Sequence, residues 1–145
     1  MLMPKFLAVM SCTTLLLVGC TSTPDLPEPG NALSPCGVLP NCVNSENGEG
    51  GQAIDPIKAS PAQWQALKRW LVAQADWDVV TDNDNLLQAV VTTPTMRFRD
   101  DVQMRFDGAA GVIQVRSSSR LGIGDMGANR ERVERLRALV ADTSP

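Results

Sequence analysis

The chain has 145 residues, room for one domain, with a formal net charge of −3 and aromatic side chains at only 4% of positions. It contains no histidine and no tyrosine, which removes the commonest general base and the usual catalytic triads. Catalysis, if present, has to run on carboxylates, serine, lysine or arginine.

The chain opens MLMPKFLAVMSCTTLLLVGC. Lys5 supplies a positive n-region, and residues 6–18 form a mostly apolar h-region. That stretch is too short for a finished membrane-spanning helix and fits a signal peptide. It ends in Leu17-Val18-Gly19-Cys20, a small residue followed by cysteine, which resembles the lipobox of bacterial lipoproteins. The resemblance implies a signal peptide over 1–19, cleavage before Cys20, and a diacylglycerol on the Cys20 thiol. An ordinary secretory signal ending in Gly-Cys is the alternative. Cys12 has too few apolar residues before it to serve the same way. Thr21 stands where, in such lipoproteins, an aspartate means retention at the inner membrane. The expected location is therefore the cell envelope, lipid-anchored, with the outer membrane facing the periplasm favoured.

Residues 20–33 are rich in Pro, Ser and Thr and read as a flexible tether after the anchor. A single domain is expected over 34–142. With Cys12 removed and Cys20 acylated, Cys36 and Cys42 remain, an even pair in an oxidising compartment, and a disulfide is expected. A metal site is not expected, because the chain has no histidine and no further cysteine. Residues 44–52 lack periodicity, and 53–57 can form an edge strand that tolerates Pro56. The clearest helix follows, over 61–75. Ser60 is its N-cap, Pro61 its first residue, and Gln63 completes a capping box. Trp64, Leu67, Trp70, Leu71 and Ala75 share a broad face, read as core.

Four strands come next. They are placed at 77–80, 86–93, 98–106 and 112–120, joined by turn-forming TDNDN, a Pro94 loop and DGAAG. In 98–106, Phe98, Val102, Met104 and Phe106 alternate with Arg99, Asp101, Gln103 and Arg105. Asp100 breaks the pattern by lying on the apolar face. A final helix starts near Asn129 and buries Val133, Leu136 and Val140. The predicted fold is α+β: an antiparallel four- to five-stranded meander sheet with two helices packed on one face.

Charge is uneven along the chain. Residues 21–96 hold three basic and nine acidic residues, and residues 97–137 hold nine arginines and six acids. The arginine-rich half can meet an anion. It is too evenly mixed with acids for nucleic acid, which an envelope protein does not meet.

The register of the last hairpin follows from its pattern, since a slip of one residue would bury arginines. A GAAG loop sets Phe106 opposite Ile113, Met104 opposite Val115, Val102 opposite Ser117 and Asp100 opposite Ser119. On the other face Gln103 meets Arg116 and Asp101 meets Ser118, so Asp101 is diagonal to Arg116 and Arg120. Two polar groups result: Asp100, Ser117 and Ser119 inward, and Arg99, Asp101, Arg116 and Arg120 outward. The glycine-rich LGIGDMG then leads into the last helix, where Asp125 and Asn129 can cap. Arg130 in the first turn needs a carboxylate, with Asp100 or Asp125 the natural partner. One reading is a salt-bridged latch tying strand, loop and helix. The other is an anion or headgroup pocket at the helix N-terminus, with Ser119, Arg120 and Arg130 converging. GIGDMG is neither a P-loop nor a dinucleotide fingerprint.

These residues carry a resemblance. CGVLPNCVNS, TPTMRFRDDVQMRFD and GVIQVRSSSRLGIGDMGANRERVERLR resemble the domain of unknown function 1499 family. The family's terminal motif matches at Arg116, Ser117, Ser119, Arg120, Gly122, Asp125, Gly127, Asn129 and Arg130, and its strand motif at Phe98, Asp100 and Asp101. Gly37 departs from it, where a proline commonly follows the first cysteine. The resemblance covers about residues 34–140 and implies a coherent domain, with no established activity, cofactor or catalytic residue. The expected function is a membrane-anchored envelope module that binds or supports without catalysis. Its partners would be the membrane through the anchor, and an envelope protein or small anionic ligand. No cofactor is expected. The alternative is a histidine-independent hydrolase using Asp100 or Asp125 as base with a serine, or an anion- or headgroup-binding protein. Serines on a strand rather than at a strained turn speak against the hydrolase.

Overall fold

A computed structural model describes residues 32–143. The expected signal peptide, Cys20 and residues 20–31 of the tether lie outside the described residues. The elements are β1 (Cys42–Asn44), a one-turn 3-10 helix (Gly50–Gln52), β2 (Ile57–Lys58), α1 (Pro61–Val72), β3 (Trp77–Asp82), β4 (Leu86–Thr92), β5 (Arg99–Asp107), β6 (Val112–Ser119) and α2 (Ala128–Asp142). Strands β3 to β6 form the antiparallel meander, and β1 and β2 both pair with the outer edge of β6, giving the order β1-β6-β5-β4-β3. The fold is α+β, and the sheet is six-stranded rather than four- to five-stranded. The unexpected strand is β1, three residues next to a disulfide loop, too short to show an alternating pattern.

Alternation sets the core. The inward residues of the sheet, including Leu87, Ala89, Val91, Val102, Met104, Ile113 and Val115, meet Trp64, Leu67 and Leu71 of α1 and Val133, Leu136 and Val140 of α2. Each fully buried aliphatic or aromatic side chain contributes roughly 1.5–3 kcal/mol relative to exposure. Trp64 stacks on Phe106 with ring centroids 6.0 Å apart, and its indole N–H donates to the Asp84 carbonyl. The β5–β6 register is the one that pattern requires, from Asp107 opposite Val112 to Asp100 opposite Ser119. The face away from the helices is closed as well, since Gln88, Asp101, Gln103 and Arg116 are buried.

Ser60 caps α1 in a full capping box with Gln63. The helix stops at Val72, so Trp70 is 37% exposed and Ala75 lies beyond the helix, rather than both joining the core face. Its last turn carries only Arg69 as a C-terminal cation, and the chain turns at once into β3. Phe98 precedes β5 and is 42% exposed, because a tight loop in which Thr93 bonds to Phe98 lifts it off the sheet. β2 begins after Pro56, which lacks the N–H a ladder needs. Cys36 and Cys42 form the expected disulfide, with Cα atoms 5.8 Å apart. Gly48 is forced by space: a Cβ there would lie 2.4 Å from the carbonyl oxygens of Asn44 and Gln52.

Candidate functional site

The inward polar group sits where β5, β6 and α2 meet. Asp100 is 2% exposed, on the apolar face of β5. A carboxylate in that position requires a cation. Arg132, from the second turn of α2, supplies it, with Nη2 donating to Asp100 Oδ2 at 2.5 Å. Nη1 of the same guanidinium donates to Ser117 Oγ (2.8 Å) and Asn129 Oδ1 (2.7 Å). Ser117 Oγ donates in turn to Asn129 Oδ1 at 2.7 Å. The Asn129 amide N–H groups donate to the Asn41 carbonyl, Ser119 Oγ and Asp125 Oδ2. One buried network thus joins β5, β6, the disulfide loop and α2. Asp100 Oδ1 is buried and finds no hydrogen-bond partner among the described residues.

The outward group lies on the opposite face of the same strands. Arg120 holds Asp101 with a two-pronged contact, Nε to Oδ2 at 3.0 Å and Nη2 to Oδ1 at 2.8 Å, and both side chains are almost fully buried. Such bidentate pairing fixes geometry as well as charge. Arg116, diagonal to Asp101 across the β5–β6 pair, makes no such fork. Its Nε and Nη1 are buried without a hydrogen-bond partner among the described residues. Burial pushes the Arg116 guanidinium below its ordinary pKa, and the nearby Asp101 charge partly offsets this. Arg99 is exposed and lies 3.8 Å from Asp78.

The glycine-rich connection closes onto α2 through Asp125. Its carboxylate accepts from the backbone N–H groups of Gly127 (3.0 Å) and Asn129 (2.9 Å), satisfying donors at the helix start. Partial burial alone would raise the Asp125 pKa. The Asn129 and Gly127 N–H groups together with the Asn129 amide outweigh it, and the carboxyl lies below its ordinary value. Gly127 precedes the helix with φ 86°, a conformation that favours glycine.

The structure corrects one expected pairing. Arg130 meets neither Asp100 nor Asp125. It curls across the domain and donates through Nη2 to the carbonyls of Gly51 (2.9 Å) and Ala53 (2.6 Å). Arg132 takes the place expected of Arg130, because Asn129, Arg132, Val133 and Leu136 share the buried face of α2. That spacing was the available signal: a charged residue in the i+3 position from a buried asparagine. Asn41 and the Glu46–Arg105 ion pair also escaped the sequence reading. Asn41 is a loop residue whose amide holds the Ser119 and Gly122 carbonyls, and nothing in its local pattern marks it.

Two cavities flank this region. A cleft of about 500 Å³ opens between α1, β3, β4 and α2, with Trp70, Trp77, Leu139 and Arg132 on its walls. A smaller one, about 300 Å³, lies between the disulfide loop and the start of α2, beside Asp125 and Arg130. Among the described residues no group of three or more Cys, Asp or Glu side chains is placed to hold a metal ion. Among them, too, no helix is long and apolar enough to cross a membrane.

The family described as protein of unknown function DUF1499 matches residues 32–140. No curated protein and no solved structure matches the chain significantly. The matched span takes in every strand and nearly all of α2, and the chain belongs to this family of uncharacterised proteins.

Proposed function

We propose that this family member is a lipid-anchored envelope module that binds or supports without catalysis, and that its Arg/Ser/Asp motif is a structural latch. The observation that carries the reading is that the motif's two strand carboxylates and Ser117 are held by partners within the domain. Asp101 is held by Arg120, Asp100 by Arg132, and Ser117 by Asn129 and Arg132. A hydrolytic serine needs an adjacent base free to take its proton. Ser117 instead donates to an amide oxygen, and Asp100 is neutralised by a guanidinium. The anchor rests on the LVGC segment ending at Cys20.

Cells expressing wild type and Cys20→Ser with a labelled fatty acid test the anchor. Wild type is expected in the membrane fraction carrying label, and Cys20→Ser without label. Unlabelled wild type in the soluble fraction would overturn the anchor.

A second reading rests on Arg116, whose Nε and Nη1 remain without partners. A small carboxylate or phosphate accepted there would satisfy both. Phosphate or acetate raising the melting temperature of wild type, but not of Arg116→Gln, is its signature.

A further inference from the structure

Most of the exposed large apolar side chains gather in three loops, with Trp70 and Val72 on α1 and Val80 on β3 lying apart from them. Val38 (98% exposed) stands on the disulfide loop, Leu121, Ile123 (80%) and Met126 (fully exposed) on the β6–α2 connection, and Met96 and Phe98 on the β4–β5 loop. All three loops cap the same end of the sheet. Thr92 pairs with Arg99, Asp100 with Ser119, and Cys42 with Ser118 there. The loops are fastened rather than loose. Asn41 bonds to the Ser119 and Gly122 carbonyls, Cys36 to Cys42, and Asn129 to Asn41. Among the described residues two non-glycine residues hold a left-handed backbone, Arg97 (φ 53°) and Met126 (φ 50°), and both lie in these loops. Positive φ in such side chains is uncommon, and strain of this kind gathers at functional surfaces.

The charges at this end are arranged to match. Arg97 and Arg99 are exposed and alternate with Met96 and Phe98. Arg120 and Asp101 neutralise one another, and Asp125 is occupied by backbone N–H groups. Asp78 lies near Arg99 on the neighbouring strand. The opposite end, formed by the β3–β4 and β5–β6 turns, presents Asp84 and Asp107, with Asp82 paired to Lys68 and Val80 the exposed large apolar residue nearest to it. Apolar tips interleaved with arginine at one end and acids at the other form the polarity of a domain that sits on an anionic bilayer surface.

We infer that this end of the domain docks on an anionic lipid surface, with Val38, Leu121, Ile123 and Met126 entering the headgroup layer and Arg97 and Arg99 meeting lipid phosphates. The inference rests on the anchored reading above and adds an orientation to it. Residues 20–31 can span up to about 40 Å when extended, so the anchor leaves the domain free to reach this pose. A protein partner would use the same apolar tips but would leave them in water when only lipid is present.

The experiment uses the full lipidated chain, in which Cys20 is acylated and Cys36 is bonded to Cys42, so an added cysteine is the reactive thiol. Ile123→Cys and, at the far turn, Ala109→Cys are labelled with an environment-sensitive fluorophore. Each is reconstituted on vesicles of phosphatidylcholine and phosphatidylglycerol, with and without brominated acyl chains, and the vesicles are floated. The expected result is flotation of both, with a blue shift and bromine quenching at position 123 and neither at 109. Flotation without quenching at 123 overturns the docking inference alone. Failure to float overturns the anchor, and the docking inference with it.

Discussion

Replacing Arg132 with methionine is the sharpest perturbation of the buried network. The substitution keeps the apolar stem and removes the guanidinium. Asp100 Oδ2 loses its 2.5 Å partner, and Asp100 Oδ1 has none among the described residues to begin with. Ser117 Oγ and Asn129 Oδ1 each lose one donor. A buried charge stripped of its partner costs about 3–5 kcal/mol. Most of that is the stranded Asp100 charge rather than lost attraction. Arg132→Met with Asp100→Asn is therefore expected to fall well short of the sum of the two single losses, with a coupling of about 1–3 kcal/mol. Urea unfolding of the full chain, followed by tryptophan emission, measures all four corners. Trp64 lies in the core that the network borders and reports on it. A single-variant loss below about 1 kcal/mol, or strict additivity in the double variant, would refute the stranded-charge reasoning.

Ser60→Ala, which removes the oxygen accepting from the Gln63 N–H, is expected to cost about 1 kcal/mol in the same unfolding assay. Reduction of Cys36–Cys42, which closes a loop with a sequence separation of 6, is expected to remove about 2 kcal/mol in the chain-entropy account, read as a lower urea midpoint in reductant. Gly48→Ala is expected to destabilise by about 1–3 kcal/mol, because its Cβ meets backbone rather than a side chain that can move. The depressed Asp125 carboxyl stabilises the fold at neutral pH, and this contribution is lost as pH falls below about 4 through the folded-state value. Asp125→Ala should accordingly show a shallower loss of melting temperature on acidification than wild type, and an unchanged slope would contradict the assignment.

The sheet was legible where one face is strictly apolar. The alternation in β5 determined its register with β6 residue by residue, because any slip buries charge. The same logic places Asp100 on the inner face. What escaped were features with little local signal. β1 is three residues long, and its pairing with β6 is long-range. Arg130 and Arg132 both belong to the arginine-rich start of α2, and only the exact helical phase decides which one reaches inward. One residue is 100° of rotation, and the helix begins at Ala128 rather than Asn129. Asn41 joins three segments through tertiary contacts that no window of sequence contains. The exposed tips at Val38, Ile123 and Met126 read locally as ordinary loop residues, and only the topology gathers them at one end.

The latch assigned to VRSSSRLGIGDMGANR meets its most direct test at Arg120. Thermal unfolding of the full chain is measured for wild type and Arg120→Ala, each with and without phosphate, acetate and anionic lipid headgroups. The account predicts that Arg120→Ala loses about 2 kcal/mol or more, as Asp101 is left buried and unpaired, and that no anion raises the wild-type melting temperature through Arg120. A variant that keeps near wild-type stability but loses an anion-induced rise present in wild type would contradict the latch and make the motif a binding site.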